Sequence, residues 1–463
     1  MMVFPAVVRG FLGALPAVVV WFLPIPGILP EAHRLLAVMT LVIAFWIAEP
    51  IPLWVTSLLG CAFCVLAGIV PVGVVLNSFA DPILFLFVGS FLLARAMHVH
   101  GLDNRVAHAL LSHPWIGGNS HRTLWAFGLV AWLLAMWLGI TTTVAMLFPA
   151  ALIVARAAEK TDRRYAAALL LMLPYAASAG AMASPVGTPP NLIGMAFMND
   201  ILGRKISFVQ WMTVGLPVAA ALLAARYGIL IGLFHPPAKS ASQKLAHLHE
   251  SFHAPGAWTQ AEGLTLVCFA GAVVLWMAGS TPGVVAMSAA GILFALPSRG
   301  LWGERILRPK DALHIDWGTV LLFGGGIVLG RAVFETGLGA ALGDIWLKPL
   351  LGGSVSILIV GSIAAAVAMS EIASNTAAAN VVIPLIISAA GQDAAASLPL
   401  AFAATFGTSL GFMLPVSTPA NAMVYGSGSV SLKDMIRSGI LADLAGIPVV
   451  WMAAQWLVPW VVR

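Results

Sequence analysis

The chain has 463 residues, of which 60% are hydrophobic and only 9% are Asp, Glu, Lys or Arg, against roughly 25% charged residues in ordinary soluble domains. That composition excludes a soluble enzyme and a disordered tail. The 23 Lys and Arg behind the net charge of +5 are spread along the chain rather than gathered in a stripe, which excludes a nucleic-acid-binding domain.

A membrane-crossing helix needs ~20 mostly apolar residues. In chain order such segments fall near 9–26, 33–49, 53–70, 82–100, 164–200, 209–234, 259–279, 283–297, 316–334, 396–426 and 436–460. The expected fold is therefore an all-α polytopic membrane protein with about eleven transmembrane helices. Residues 1–30 carry an extra N-terminal helix, and no small-residue cleavage site marks it as a signal peptide. Residues 33–235 form a first unit, 236–257 a polar cytoplasmic linker, and 258–463 a second unit. Two further apolar stretches, 123–158 and 353–390, are interrupted at their middles by short polar runs, and 164–200 and 396–426 are long enough to be broken helices.

The two units repeat each other. FVGSFLLARAMHVHGL (87–102) matches FGGGIVLGRAVFETGL (323–338), with Phe87/Phe323, Gly89/Gly325, Arg95/Arg331 and Gly101/Gly337 all 236 positions apart. LGITTTVAMLFP, ending at Pro149, matches ASNTAAANVVIP, ending at Pro384, and VGTPPN (186–191) matches VSTPAN (416–421). Each repeat holds five spans and one interrupted segment, an odd count that turns the second copy over in the membrane. Charge agrees: 156–164 holds Arg156, Lys160, Arg163 and Arg164, while its counterpart 391–399 holds no basic residue. Likewise 299–310 holds Arg299, Arg305, Arg308 and Lys310, and its counterpart 71–81 holds none. Basic residues favour the cytoplasmic side, so the N-terminus is expected inside and the C-terminus outside.

Four breaks are expected, two per repeat: Gly139–Thr143, Gly187–Asn191, Ser374–Thr376 and Ser417–Asn421. Proline removes an N–H donor and cannot continue a helix, which Pro189, Pro190 and Pro419 exploit. In hydrocarbon, irregular backbone is tolerated only where it lines a cavity inside the protein. In transporters built from inverted repeats such breaks aim half-helix ends at a ligand near the bilayer midplane. No Lys or Arg lies at any break, yet half-helix N-termini favour anions, so the expected ligand is a small anion held by neutral donors.

At these residues the chain resembles the divalent-anion:sodium symporter family of dicarboxylate, citrate and sulfate carriers. The likeness is carried by SNT at 374–376, SPVGTPPN (184–191), MLPVSTPANAMVYGSG (413–428), WIAEPIPLWVTSLL (46–59) and IDWGTVLLFGGGIVLGRA (315–332). The resemblance implies a homodimer in a bacterial inner membrane, with a fixed scaffold and a transport domain carrying two re-entrant hairpins (123–158 and 353–390) and two broken helices. Its cargo is a small di- or tricarboxylate or sulfate-like anion, moved by an elevator motion, and no cofactor is implied beyond sodium as coupling ion. It further implies that Ser374, Asn375, Thr376, Thr418 and Pro419 on one side, and Thr141, Thr188 and Pro189 on the other, touch the substrate. Ser370, Asn375 and the carbonyls of Ala373 and Ser417 would hold one sodium ion. In the first half Gly139-Ile140-Thr141 stands where Ser-Asn-Thr is expected and Ala135 where a hydroxyl is expected, leaving Gly187 for a first sodium site. Hard cations want oxygen ligands, so sodium coupling is expected to be reduced, or replaced by sodium-independent anion exchange; Thr142 and Thr143 are the alternative hydroxyls.

Other features read as structural. Cys61-Ala-Phe-Cys64 lies in an apolar span as packing cysteines, and Gly324–Gly326 lets helices approach closely, lacking the rest of a phosphate loop. Glu49 marks a turn between spans. The five His between 98 and 121 line a helix at the cytoplasmic interface. His247, His249 and His253 lie in the solvated linker, with a transition-metal site as the alternative. Arg95 and Arg331 reach toward the interface as long side chains do; the alternative is that they hold hairpin to scaffold. No HExxH, nucleophile–base pair or clustered carboxylates support a membrane-embedded enzyme, and a channel would differ from a carrier in lacking saturable counterflow.

Overall fold

The computed structural model describes residues 5–111, 119–159, 162–235, 256–300, 303–343, 355–391 and 394–462. Helices account for nearly all regular structure among these, the exception being one isolated bridge between Pro297 and Arg305. In the first half they are α1 (Ala6–Phe22), α2 (Pro30–Ala48), α3 (Leu53–Leu66), α4 (Val72–Phe79), α5 (Pro82–Val99), α6 (Leu102–Leu111), α7 (Ser120–Leu138), α8 (Ile140–Glu159), α9 (Arg163–Ala181), α10 (Pro189–Leu202) and α11 (Phe208–Phe234). The second half holds α12 (Gln260–Met277), α13 (Pro282–Ala295), α14 (Pro309–Leu313), α15 (Trp317–Glu335), α16 (Leu338–Leu342), α17 (Val355–Ile372), α18 (Asn375–Ala390), α19 (Ala394–Gly407), α20 (Pro419–Gly426) and α21 (Leu432–Met452), which continues without a break as a π-helical stretch (Ala453–Leu457) and a last α-helical turn (Val458–Val461). Among the described residues nine helices are long and apolar enough to cross a membrane by length and composition.

Local chemistry sets the boundaries. Proline, whose fixed φ suits the first helical turn, opens α2, α5, α10, α13 and α20. Side-chain oxygens of Asp81, Asn119, Asp162, Ser207 and Thr259 accept the first free N–H groups of α5, α7, α9, α11 and α12, the usual way to satisfy donors at a helix start. Both expected interruptions at 123–158 and 353–390 resolve into two helices packed on one another, α7 with α8 and α17 with α18. The segment 164–200 breaks between Ala181 and Pro189, and 396–426 breaks between Gly407 and Pro419.

Two groups of helices follow from the contacts. One joins α1 to α2, α2 to α3, α3 and α4 to α15, and α5 to α13. The other surrounds α9, which is buried at every residue from Tyr165 to Ala181 and touches α7, α8 and α11; α17, α18, α19 and α21 continue this group. Small residues make the burial possible: a Cβ at Gly180 would run into the Trp132 carbonyl, the kind of close backbone approach seen in membrane bundles. The groups meet where α15 packs on α18. There the triglycine acts as expected: side chains at 324, 325 and 326 would strike Phe79, Ser57 and Asn380. Cys61 and Cys64 are buried and unpaired, and the Cys61 thiol points to the Gly325 carbonyl at 3.7 Å.

Glu49 adopts a left-handed backbone (φ 46°) at the end of α2, within the expected turn. The His-lined interfacial helix is corrected: of the four histidines in the described part of 98–121, only His108 lies on α6. His98 and His100 close the end of α5, bonding Asp103 (2.7 Å) and the Ile306 carbonyl (2.9 Å). Most of the linker, with His247, His249 and His253, and also His113, lies outside the described residues.

Candidate functional site

All four chain breaks line one cavity of about 710 Å³. Each break is built differently. At the first, α7 ends on Gly139, whose φ of 82° is open to glycine and strained for other residues. The chain restarts at once as α8, presenting Thr141 and Thr142 to the cavity, while Thr143 is buried with its hydroxyl unpartnered. At the second, Gly187 passes so near Ala181 that a Cβ would collide with its carbonyl oxygen. Asn191 then clasps the unwound stretch, its amide donating to the carbonyls of Ala181 (3.0 Å) and Ser184 (2.7 Å).

The fourth break repeats that clasp. Asn421 donates to Gly411 and Leu414, both at 3.3 Å, and these stand ten and seven residues upstream of it, as Ala181 and Ser184 stand upstream of Asn191. Thr418 caps α20 by accepting from Asn421 N (3.1 Å), whereas Thr188 starts α10 with no side-chain cap bond and keeps its hydroxyl free. At the third break Ser374 caps α18 by accepting from Ala377 N at 3.2 Å.

Every residue expected to touch substrate lines the cavity: Ser374, Asn375, Thr376, Thr418 and Pro419 from one half, Thr141, Thr188 and Pro189 from the other. Gly187 and Ser417 line it as well. Ser370 and Ala373 stand behind the third tip, both buried. The Ser370 hydroxyl lies 2.7 Å from Asn375 Oδ1 and 2.9 Å from the Thr408 carbonyl. That gathering of neutral oxygens matches what a hard monovalent cation requires. At the first tip the matching positions hold Ile140 and Ala135, whose side chains carry no oxygen, and Thr143 Oγ1 is the one buried hydroxyl there without a partner.

The most consequential residue missed from sequence is Glu371. It is 3% exposed and its carboxylate accepts three bonds, from Met413 N (2.8 Å), Leu414 N (3.1 Å) and Ser417 Oγ (2.9 Å). It thereby ties the third tip to the unwound chain of the fourth. The available signal was a carboxylate inside an otherwise apolar span, since intramembrane charges are costly and mark function. Arg226, fully buried, stacks over Phe412 at 4.2 Å and donates to the Tyr175 carbonyl.

The two repeated arginines have different protein partners. Arg331 donates to Asp200 (2.6 and 3.0 Å) and Ser78 (2.9 Å) and faces Asp81 at 3.4 Å, which links the end of α10 to the α4–α5 corner. A guanidinium can donate to several acceptors at once, and Arg331 joins the partly exposed Asp200 to the buried Ser78 and Asp81. Arg95 lines the cavity, and the partner given by its geometry is Asp311, at 3.6 Å. Burial works to raise the Asp311 carboxyl. The Arg308 N–H and the charges of Arg308, Arg95 and Lys310 outweigh it and hold that carboxyl below the ordinary range.

Residues 9–463 match the family model described as the sodium:sulfate symporter transmembrane region. The sodium-dependent dicarboxylate transporter SdcS of Staphylococcus saprophyticus is 29% identical over 453 residues, covering 92% of this chain and 86% of its own length. An uncharacterized transporter of Haemophilus influenzae is 30% identical over 442 residues, covering 91% of each. Among solved structures, Neisseria gonorrhoeae MtrF aligns with a TM-score of 0.52 at 11% identity, covering 96% of this chain and 94% of that one. The Alcanivorax borkumensis YdaH transporter aligns at 0.50 and 13%, covering 98% and 97%. At such identities the likeness concerns the fold alone.

Proposed function

The chain belongs to the sodium:sulfate symporter family, and from that premise we propose that it is a secondary active transporter carrying a small divalent anion, with a dicarboxylate as the first candidate. The observation that carries this reading is the convergence of four chain breaks on one cavity whose polar groups at those breaks are hydroxyls, amides and backbone. Helix N-termini at Pro189, Asn375 and Pro419 open toward it, and the positive ends of their dipoles favour negative charge. Donors from both halves suit a molecule with an anionic group at each end. The name carried by SdcS, a sodium-dependent dicarboxylate transporter, agrees with this cargo.

In this reading the helices around α9, with α7–α8 and α17–α18 as re-entrant hairpins, form a transport domain. It moves against a scaffold of α1–α5, α12, α13 and α15 in an elevator stroke. The two halves are inverted repeats, the chain is a homodimer, and the basic residues at 156–164 and 299–310 put those segments in the cytoplasm. Sodium belongs at Ser370, Asn375 and the carbonyls of Ala373 and Ser417, where it adds positive charge beside the anion and so couples their binding. Asn375 and Thr376 orient one carboxylate, and Thr141 and Thr188 face the other. Since Ile140 and Ala135 bring no oxygen to the first tip, coupling rests on one cation site with side-chain ligands. The same observation favours a second reading, sodium-independent anion exchange.

The test is uptake of labelled succinate, sulfate and citrate into proteoliposomes holding the full chain, with and without a sodium gradient and with internal counter-anion. Saturable, sodium-stimulated succinate uptake supports the first reading. Uptake that needs internal anion and ignores sodium supports the second, and the absence of saturable uptake of all three overturns both.

A further inference from the structure

The two arginines that recur at matching positions live in opposite surroundings. Arg331 is occupied: three of its nitrogens donate to Asp200 and Ser78, and Asp81 stands beside it. One cation there meets two carboxylates. Arg95 is under-occupied: its contact with Asp311 is long at 3.6 Å, and its buried Nε has no hydrogen-bond partner. A buried guanidinium N–H without an acceptor is costly, and a guanidinium presents donors in the fork that matches a carboxylate or sulfate edge.

Arg95 also stands where two spaces join. It lines the main cavity and a second, adjoining one of about 480 Å³, which is walled by Arg308, Lys310, His98, His314 and Asp311. Three fixed cations therefore share this mouth. Against them stand Asp311, held by the Arg308 backbone N–H at 3.0 Å, and Glu304, which accepts from Arg308 at 2.9 Å. Asp316, in the main cavity, is engaged by Thr319, and His98 is engaged by Asp103. Among the residues lining the second space, Arg95, Arg308 and Lys310 outnumber the one carboxylate, Asp311, whereas at the Arg331 corner two carboxylates meet one cation.

The geometry points to a second anion-binding site at this mouth, centred on Arg95 and flanked by Arg308 and Lys310, that takes the small dianion before it reaches the four chain breaks. The inference rests on the anion-carrier reading for its physiological ligand, but not for the existence of the site. A positive mouth with low-dielectric walls concentrates anions and speeds their encounter. Because Arg95 belongs to both spaces, an anion held there passes inward without losing its charge partner. The matching corner has no such device, so the two faces of the protein differ in apparent affinity for the same anion.

Two measurements test this on the full chain in proteoliposomes. In the first, succinate uptake is followed in Arg95→Gln, Arg95→Lys and the Arg308→Gln/Lys310→Gln pair, at fixed sodium, with choline chloride setting ionic strength. In the unsubstituted chain the KM is expected to rise as salt is added. In Arg95→Gln the KM is expected to be raised about tenfold at low salt, with a shallower salt dependence and a smaller change in maximal rate, and Arg95→Lys restores part of the effect. A merely structural Arg95 would lower the maximal rate and leave the salt slope intact, which overturns the proposal.

The second measurement does not depend on transport. Val99 is exposed and lines the outer space, so Val99→Cys, in a Cys268→Ser background, reports the local potential. Its reaction rate with an anionic methanethiosulfonate, divided by that with a cationic one, is expected to fall several-fold when Arg95→Gln is added. The difference is expected to vanish near 0.5 M salt, where screening shortens to a few ångströms. An unchanged ratio sinks the site even if succinate is carried. A changed ratio with no carriage of succinate, sulfate or citrate keeps the site and sinks the carrier reading.

Discussion

Replacing Glu371 by Gln is the sharpest probe of how the cavity is held together. The carboxylate divides its work: Oε1 accepts from Met413 N, while Oε2 accepts from both Leu414 N and Ser417 Oγ. Glutamine keeps one acceptor oxygen. In its better orientation that oxygen serves Leu414 and Ser417, and the new amide group faces the Met413 N–H, donor against donor. A hydrogen bond to a charged group is worth about 1.5–3 kcal/mol, and here one is lost while two decline from charged to neutral. The expected penalty is about 2–4 kcal/mol, since burial denies water as a replacement partner. At 1.4 kcal/mol per decade this shifts the balance between the tied and untied tips by roughly 30- to 1,000-fold. Because Thr418 and Pro419 lie just past the tied segment, substrate affinity should fall by at least an order of magnitude. The assay is succinate KM in proteoliposomes, with thermal unfolding followed by tryptophan fluorescence. A Glu371→Gln variant with a KM within twofold of the parent and an unchanged unfolding temperature would refute the tie.

Asn375→Ala removes two donors and an acceptor from the third tip and should weaken substrate binding by about 1–3 kcal/mol; direct binding of labelled succinate at parental affinity would move the site elsewhere. Thr188→Val and Thr418→Val should both reduce transport, but only the latter should also lower thermal stability, by about 1 kcal/mol, because Thr418 alone caps its helix. Equal stability losses would contradict that distinction. Uptake against sodium concentration should follow a hyperbola with a Hill coefficient of about one, and a coefficient of two or above would sink reduced coupling. The Asp311 carboxyl is held below the ordinary range, so its contribution to folding is present above the unfolded value of ~3.9 and is lost only as pH falls through the lowered folded value. Uptake between pH 8 and 5 should therefore show no inflection from this group, and an inflection removed by Asp311→Asn would falsify the assignment.

The breaks were legible because each is written in residues that backbone chemistry treats specially: Gly139 and Gly187, the prolines at 189, 190 and 419, and the hydroxyls beside them. Helix boundaries followed for the same reason, as at Pro82 and Pro189. What stayed hidden depends on partners far away in the chain. Arg331 meets Asp200 and Ser78 across 131 and 253 residues, and no local pattern distinguishes such an arginine from one reaching to the lipid headgroups. Glu371 was passed over for the opposite reason: it sits inside a recognised tip, where the neighbouring Ser370 and Ser374-Asn375-Thr376 drew the functional reading, while its three donors lie more than forty residues on. Histidines 98 and 100 misled as a supposed helix stripe, because a turn at Gly101 intervenes before α6 begins.

The paired asparagines have a mechanical meaning. Each fastens the bend of its own broken helix to carbonyls no more than ten residues upstream, so part of the curvature is set inside a single short stretch of chain, with Glu371 adding a tie from the adjoining hairpin at the fourth break. A ligand holder fastened in this way behaves like a cup moulded in one piece. If the helices bearing it slide past the rest of the molecule, the cup keeps its shape while only its walls and openings change, and cargo loaded at one end of the stroke meets the same grip at the other.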